Sequence, residues 1–287
     1  MKIDIRQIEN PENLKAVEDL QRLIWASDET EVVPVHLLRA AVHSGGLIIG
    51  AFRGDQMVGF VFGFVGMDNH GGVKRIFHAS HMAGVHPEFR DSGLGFKLKR
   101  AQWQMVRYQG LDLITWTYDP LQSRNANLNI SKLGAVCNTY IPNFYGEMRD
   151  SINVGMPSDR FQVDWWVNSN RVKMKLKDKN PKKIHPSHYL SAEIPAVNKT
   201  YFNQQGYICP EEIPGKILRS ELLLLEIPTD IQSIKVVDPE LGITWSNHIR
   251  TLFTDLFSRG YYVTDFIFLP GTAPKSYYVL SDGDAVL

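Results

Sequence analysis

Ile3, Ile5 and Ile8 mark a strand over residues 2–8, and the apolar period changes immediately afterwards. Asn10-Pro11-Glu12 is a helix-opening signal, and Leu14, Val17, Leu20, Leu23 and Ile24 follow at intervals of three and four, which predicts a helix. A second helix is predicted after Pro34, through Leu37, Leu38, Ala41 and Val42 to Gly45-Gly46. The run LIIGAFRGDQMVGFVFGFVGM holds two apolar segments joined by Arg53-Gly54-Asp55-Gln56, a hairpin pattern. Another strand covers residues 76–85. The helix after it carries Leu98, Ala101, Met105 and Val106 and closes at Gly110, a C-terminal cap. LDLITWTYDP reads as a strand stopped by Pro120, a helical stretch over 125–133 ends at Gly134, and Thr139-Tyr140-Ile141 is β-like.

The order β-α-α-β-β-β-α-β-α-β predicts an α/β fold, a mixed central sheet flanked by helices. Residues 168–187 (NSNRVKMKLKDKNPKKIHPS) are polar and basic with two prolines, so the linker is placed there, between a domain over 1–167 and a C-terminal α/β extension over 188–287. Its charge run reads as a solvated loop. The extension holds an apolar run over 222–227, a helix over 239–258, Gly260, the strand YYVTDFIFL and Pro270. This echoes residues 78–120, with Gly110 and Gly260, then Pro120 and Pro270, at the same interval. Ile243 and Trp245 stand where the first copy has Gly93 and Gly95, so the extension reads as a degenerate half-repeat with a structural role.

Composition narrows the function classes. In 287 residues, 31 basic side chains balance 31 acidic ones, so no global field draws the chain to nucleic acid or to a membrane surface. Cys137 and Cys209 are far apart without metal-ligand spacing, which suits a reducing compartment and no metal site. No apolar signal core or membrane-length window is present, so a cytoplasmic location is expected.

The stretch VHPEFRDSGLGFKLKR carries the chemistry. A strand ends at Val85, passes Pro87, and runs through Arg90-Asp91-Ser92-Gly93-Leu94-Gly95 into a helix. A helix N-terminus presents unpaired N–H groups and partial positive charge, and glycines let an anion approach them, so the turn suits a pyrophosphate. The Gly-Lys-Ser/Thr of a P-loop is missing. The dinucleotide fingerprint needs a third glycine and a place in a first βαβ unit. A purely structural turn is the competing reading.

Val85, Pro87 and Arg90-x-x-Gly93-x-Gly95, set after a hairpin and before helix–strand–helix, resemble motif A of the GNAT acyl-CoA N-acyltransferase superfamily, over residues 2–146. The resemblance implies acetyl-CoA or another acyl-CoA as co-substrate, held by Gly84, Val85, Arg90, Asp91, Ser92, Gly93, Leu94, Gly95 and Phe96, with its pantetheine arm on the strand ending at Val85 and touching Asn125. HASHMAGVHPEFR, WTYDPLQSRNANLNISKLGA and YIPNFYG are similar to a longer branch of acetyltransferases associated with N-acylation of amino acids, succinyl donors included.

Amide formation from a thioester needs an uncharged amine, an oxyanion donor and a route for the thiolate. The resemblance places the base or water-positioning residue four or six positions before the motif valine, at His81 or Ala79, so His81 is the candidate base. Strict alternation puts residues 79, 81, 83 and 85 on one face and His78, Ser80, Met82 and Gly84 on the other. Ile130 stands where the family has its tyrosine acid, leaving Tyr145 or Tyr140, with Tyr145 preferred, or departure of the thiolate without an acid. Arg160 could grip a substrate carboxylate, or pair internally with Asp159, and Glu31 lies where the fold lines the acceptor site. The expected partners are a small amine or amino acid and, allowing a homodimer, a second copy. The competing functions are a non-catalytic acyl-CoA-binding or regulatory module and a nucleotide-binding protein of another fold.

Overall fold

The computed structural model describes residues 2–25, 31–70, 72–146, 157–177, 189, 194–215 and 219–283. By packing, the chain divides into one unit of residues 1–116 with 166–168 and another of 117–165 with 169–287.

In the first unit the strands β1 (Ile3–Gln7), β2 (Leu47–Arg53), β3 (Gln56–His70), β4 (Val73–Val85) and β5 (Leu113–Tyr118) lie side by side in chain order. The first four pair antiparallel and β4 pairs parallel to β5, so the sheet is mixed. Arg53 faces Gln56 across the expected two-residue hairpin turn. The helix α1 (Pro11–Trp25) starts where the Asn10 Oδ1 accepts the Asn13 N–H at 3.0 Å. It shares one face of the sheet with α2 (Val35–His43), and α3 (Leu94–Tyr108) covers the other. Alternation along the strands sorts the core accordingly: Ile48, Phe60 and Phe62 pack with Leu14, Val17, Leu20 and Leu38, whereas Ile49 and Val61 pack with Leu94 and Leu98. Each such side chain contributes ~1.5–3 kcal/mol on burial, far above the tenths of a kcal/mol that separate helix propensities, so packing decides where these helices lie.

The second unit contains β6 (Val136–Ile141), β7 (Arg160–Trp166), β10 (Leu222–Ile227), β11 (Tyr261–Leu269) and β12 (Lys275–Asp282), in the order β7-β6-β11-β12-β10 with antiparallel neighbours. A separate hairpin joins β8 (Thr200–Phe202) to β9 (Ile208–Pro210). The helices are α4 (Ser123–Ala126), continued by a π-helical turn (Asn127–Lys132), then α5 (Asn170–Leu176), α6 (Ile231–Val237) and α7 (Pro239–Ser258). Asp238 caps α7 through the Leu241 N–H, with Pro239 at the first helical position. Phe161, Phe253 and Tyr278 build an aromatic core, with Phe161 and Phe253 centroids 4.6 Å apart.

Two expectations change here. The basic stretch after residue 168 is not all loop: Ser169 caps α5 through the Val172 N–H, and Val172 and Leu176, one turn apart, are buried. Residues 178–187 of the expected linker lie outside the described residues. The echo of residues 78–120 also differs in pairing. The first copy sets its two parallel strands side by side, whereas β12 lies between β10 and β11 and pairs with both. Trp245, at the position of Gly95, is fully buried in α7.

Candidate active site

β4 and β5 form a fork. Their parallel ladder consists of His78↔Ile114 and Ala79↔Thr115 and then ends, although β4 runs on to Val85. Alternate backbone groups of residues 80–85 therefore face an edge that β5 leaves open. Beyond Val85 comes a short turn (Pro87–Phe89), and then the chain takes positive φ at Asp91 (62°) and Gly93 (77°). Gly93 caps α3 without a side-chain bond, and the first helical bond runs from the Lys97 N–H to the Gly93 carbonyl at 3.2 Å. The amides of Leu94, Gly95 and Phe96 thus precede the intrahelical ladder. Residues 90–93 are exposed, and a Cβ built on Gly93 meets, chain neighbours aside, nothing of the described residues within 4 Å, so the turn beside these amides is open. Such a concave set of N–H groups fits a diphosphate. Ser92 Oγ donates to the Phe89 carbonyl at 2.6 Å, fixing the turn from inside. Val85 packs toward α3, and Gly84 is buried against Ile24 and Phe60.

His81 is the extra residue of a β-bulge. Phe62 pairs with Met82 and Gly63 with Ser80, which leaves His81 without a counterpart on β3. The expected strict alternation is therefore wrong beyond residue 80: Met82 joins the α1 side with Phe62, and Val85 joins the α3 side. The His81 ring contacts Phe62 and Phe64, each at 5.9 Å between centroids, while its outer edge meets solvent. This apolar packing desolvates the imidazole and lowers its pKa, so the ring is neutral at pH 7 and can accept a proton.

The opposite face of the fork holds a buried polar chain that the local sequence pattern did not bring together. Lys99 is only 3% exposed. Its Nζ donates to Ser80 Oγ and to Gln102 Oε1, both at 2.9 Å, and lies 3.7 Å from the centre of the Trp116 ring. Ser80 Oγ donates to Gln102 Oε1 at 3.0 Å, and Gln102 Nε2 is 3.0 Å from His78 Nε2. Because the Gln102 oxygen accepts twice, its nitrogen donates to the histidine, which fixes the ring proton on Nδ1. That atom is buried with no hydrogen-bond partner among the described residues. Burial, and then the Lys99 charge, drives the His78 pKa down to about 3, and burial drives Lys99 down to about 7. One sequence signal existed: Gln102 sits one turn from both Leu98 and Val106, on the apolar stripe of α3.

The remaining candidates are dispersed. Glu31 is exposed between α1 and α2, in a connection anchored by Gln21, whose side chain bonds both backbone groups of Val33, and by Glu18, which accepts the Val35 N–H at 2.7 Å. In the second unit Asn125 is exposed on α4, and Tyr145 is exposed with the Arg160 guanidinium 5.1 Å from its ring centre. Asp159 does not pair with the side chain of Arg160, which is half-buried and bonds the Asp159 carbonyl. Its carboxylate instead takes a two-pronged bond from Arg250 (2.8 and 2.7 Å), the Tyr140 hydroxyl (2.7 Å) and the Asn143 N–H (3.0 Å). Burial alone would raise the Asp159 pKa, but these donors outweigh it and hold it below the usual range. Tyr140 moves the other way, pushed far up by burial and by Asp159, so it is a poor acid. Among the described residues no cluster of three or more His, Cys, Asp or Glu could hold a metal, and no helix is long and apolar enough to cross a membrane.

No family model and no curated protein matches the sequence. Solved structures with a similar fold include the ribosomal-protein-S18-alanine N-acetyltransferase of Escherichia coli, at 14% identity and TM-score 0.47, over 58% of this chain and 96% of that one. They also include an acetyltransferase of the GNAT family from Streptococcus pneumoniae, at 15% and 0.44 over 57% and 98%. The NatC complex bound to Gag peptide and CoA is similar at 18% and 0.45, over 58% and 99%.

Proposed function

We propose that the protein is an acyl-CoA-dependent N-acyltransferase, with an acetyl or succinyl donor and a small amine such as an amino acid as acceptor. The observation that carries this reading is the fork: two parallel strands part after two residue pairs, and the longer one leads straight into a glycine-capped helix start. A pantetheine arm carries amides that can pair with an open strand edge as another strand would. The diphosphate then falls on the amides of residues 94–96, with Arg90 beside it. Backbone N–H groups toward Val85 would steady the thioester oxygen as it becomes negative.

His81 is the proposed base. The acceptor ammonium must lose a proton before its nitrogen attacks, and a neutral imidazole on the rim of the fork can take it. Because desolvation lowers the His81 pKa, turnover is expected to fall only as pH drops below 6.5. His81→Ala should lower kcat by about a hundredfold and remove that acid limb, with CoA affinity unchanged. A variant with the full rate from pH 6 to 9 would exclude the role. Tyr145 is the proposed acid for the departing thiolate.

A second reading, an acyl-CoA-binding regulatory module without turnover, is favoured by Ile130 at the family's tyrosine position and by the engagement of Tyr140 with Asp159. Titration calorimetry with CoA, ATP and NAD tests the cradle. Thiol release from acetyl- and succinyl-CoA across a panel of amines and amino acids then separates the two readings. CoA binding with no thiol release from any pair would leave the module, and binding of ATP or NAD instead of CoA would remove both.

A further inference from the structure

The Lys99 chain lies at the vertex of the fork. Ser80 and Trp116 are the residues immediately after the last pair, Ala79↔Thr115, and the Lys99 amine sits between them. Paired residues of parallel strands point to the same side of a sheet, so the ladder would next bring these two side chains together. The amine holds that place, with the serine oxygen on one side and the indole face on the other. Gln102 completes the arrangement from α3, accepting from Lys99 and Ser80 at once.

An apolar side chain would fill this volume without the desolvation of an amine, a cost visible in the lowered Lys99 pKa. What a methyl group lacks is direction. The amine bonds fix Ser80 on the residue before the bulge, and the ring contact fixes Trp116 on the strand that departs.

We propose that Lys99 is a positioning residue that keeps β4 and β5 apart beyond Ala79, and so holds open the backbone edge that takes the pantetheine arm. The assignment of that edge to pantetheine rests on the acyltransferase reading; the spacing of the strands does not.

Lys99→Met keeps the length and the contact with Trp116 but removes the donors. Without them the ladder is expected to extend toward Ser80 and Trp116, and amide hydrogen exchange of residues 80–83 to slow by about tenfold. CoA affinity should fall about tenfold, while affinity for its nucleotide half, adenosine 3′-phosphate 5′-diphosphate, stays within about twofold, because the amides of residues 94–96 are untouched. Ser80→Ala, which removes the bonds to Lys99 and Gln102 and little volume, should move both readouts in the same direction, and the double variant should add little. Unchanged exchange at residues 80–83 in both variants would overturn the proposal, as would equal losses for CoA and its nucleotide half. Should the wild type bind neither compound, the acyl-CoA reading fails, and the exchange comparison still decides the role of Lys99.

Discussion

Gly93→Trp is expected to weaken CoA binding by at least about a hundredfold, the equivalent of ~2.7 kcal/mol, while the protein stays folded. Two effects act at this position, and the structure separates them. The first is conformational: φ is +77°, where a Cβ costs ~1–2 kcal/mol. The second is steric. Chain neighbours aside, no atom of the described residues lies within 4 Å of a Cβ placed on this residue, so an indole has open space beside the amides of residues 94–96 and need not enter the core. Gly93→Asn isolates the first effect, since asparagine tolerates the left-handed region and is short. It should keep most of the affinity. Calorimetric titration of the two variants beside the wild type checks the argument. A tryptophan variant that binds CoA normally would move the diphosphate away from this turn.

The elements around that turn were legible because their signals are local. Gly54-Asp55 gives the two-residue hairpin between β2 and β3, and the run YYVTDFIFL between Gly260 and Pro270 gives β11 with its observed bounds. The glycine turn was readable for the same reason: a left-handed cap and an open first helical turn are properties of six consecutive residues. What escaped depends on partners distant in sequence. The bulge at His81 is a register shift against β3, and no pattern within residues 73–85 records how a neighbouring strand pairs. Asp159 stands next to Arg160 in the chain yet spends its charge on Arg250, 91 residues away. Lys99 stands between Lys97 and Arg100, and in so short a window charge is the stronger cue, so its burial was not legible there. Its burial follows from the packing of α3 against the sheet, beside Ser80 and Trp116, which Gln102 on the apolar stripe only hints at. In α5, by contrast, the cues were present, a serine cap and apolar residues one turn apart, and Arg171, Lys173, Lys175 and Lys177 around them masked the period.

Gly63→Ala should be the most damaging single methyl addition in the first unit, because the fork leaves it nowhere to go. A Cβ built there lies 2.3 Å from His78 Nε2 and 2.6 Å from the Ala79 carbonyl oxygen. A side-chain tip alone could swing away at modest cost. A carbonyl oxygen in the β3–β4 ladder cannot, so the strands must separate beside the bulge. Overpacking of this kind costs ~3 kcal/mol, which corresponds to a Tm lower by roughly 6–12 °C. His78→Ala in the same chain removes only the first clash and should restore part of the loss, not all of it. The pH dependence supplies an independent check. The folded His78 pKa of about 3 lies below the ordinary 6.5, so the unfolded chain binds the extra proton between these values. Stability from this group is therefore complete above pH 6.5 and declines as pH falls toward 3. A ring displaced by the alanine methyl regains solvent, and its pKa returns toward 6.5. The variant should lose less stability than the wild type over that interval, although it starts lower. Parallel denaturant titrations at pH 7 and pH 4 measure the difference. Equal acid losses in the two proteins would mean that the histidine stays buried, and that β3 and β4 absorb the methyl group some other way.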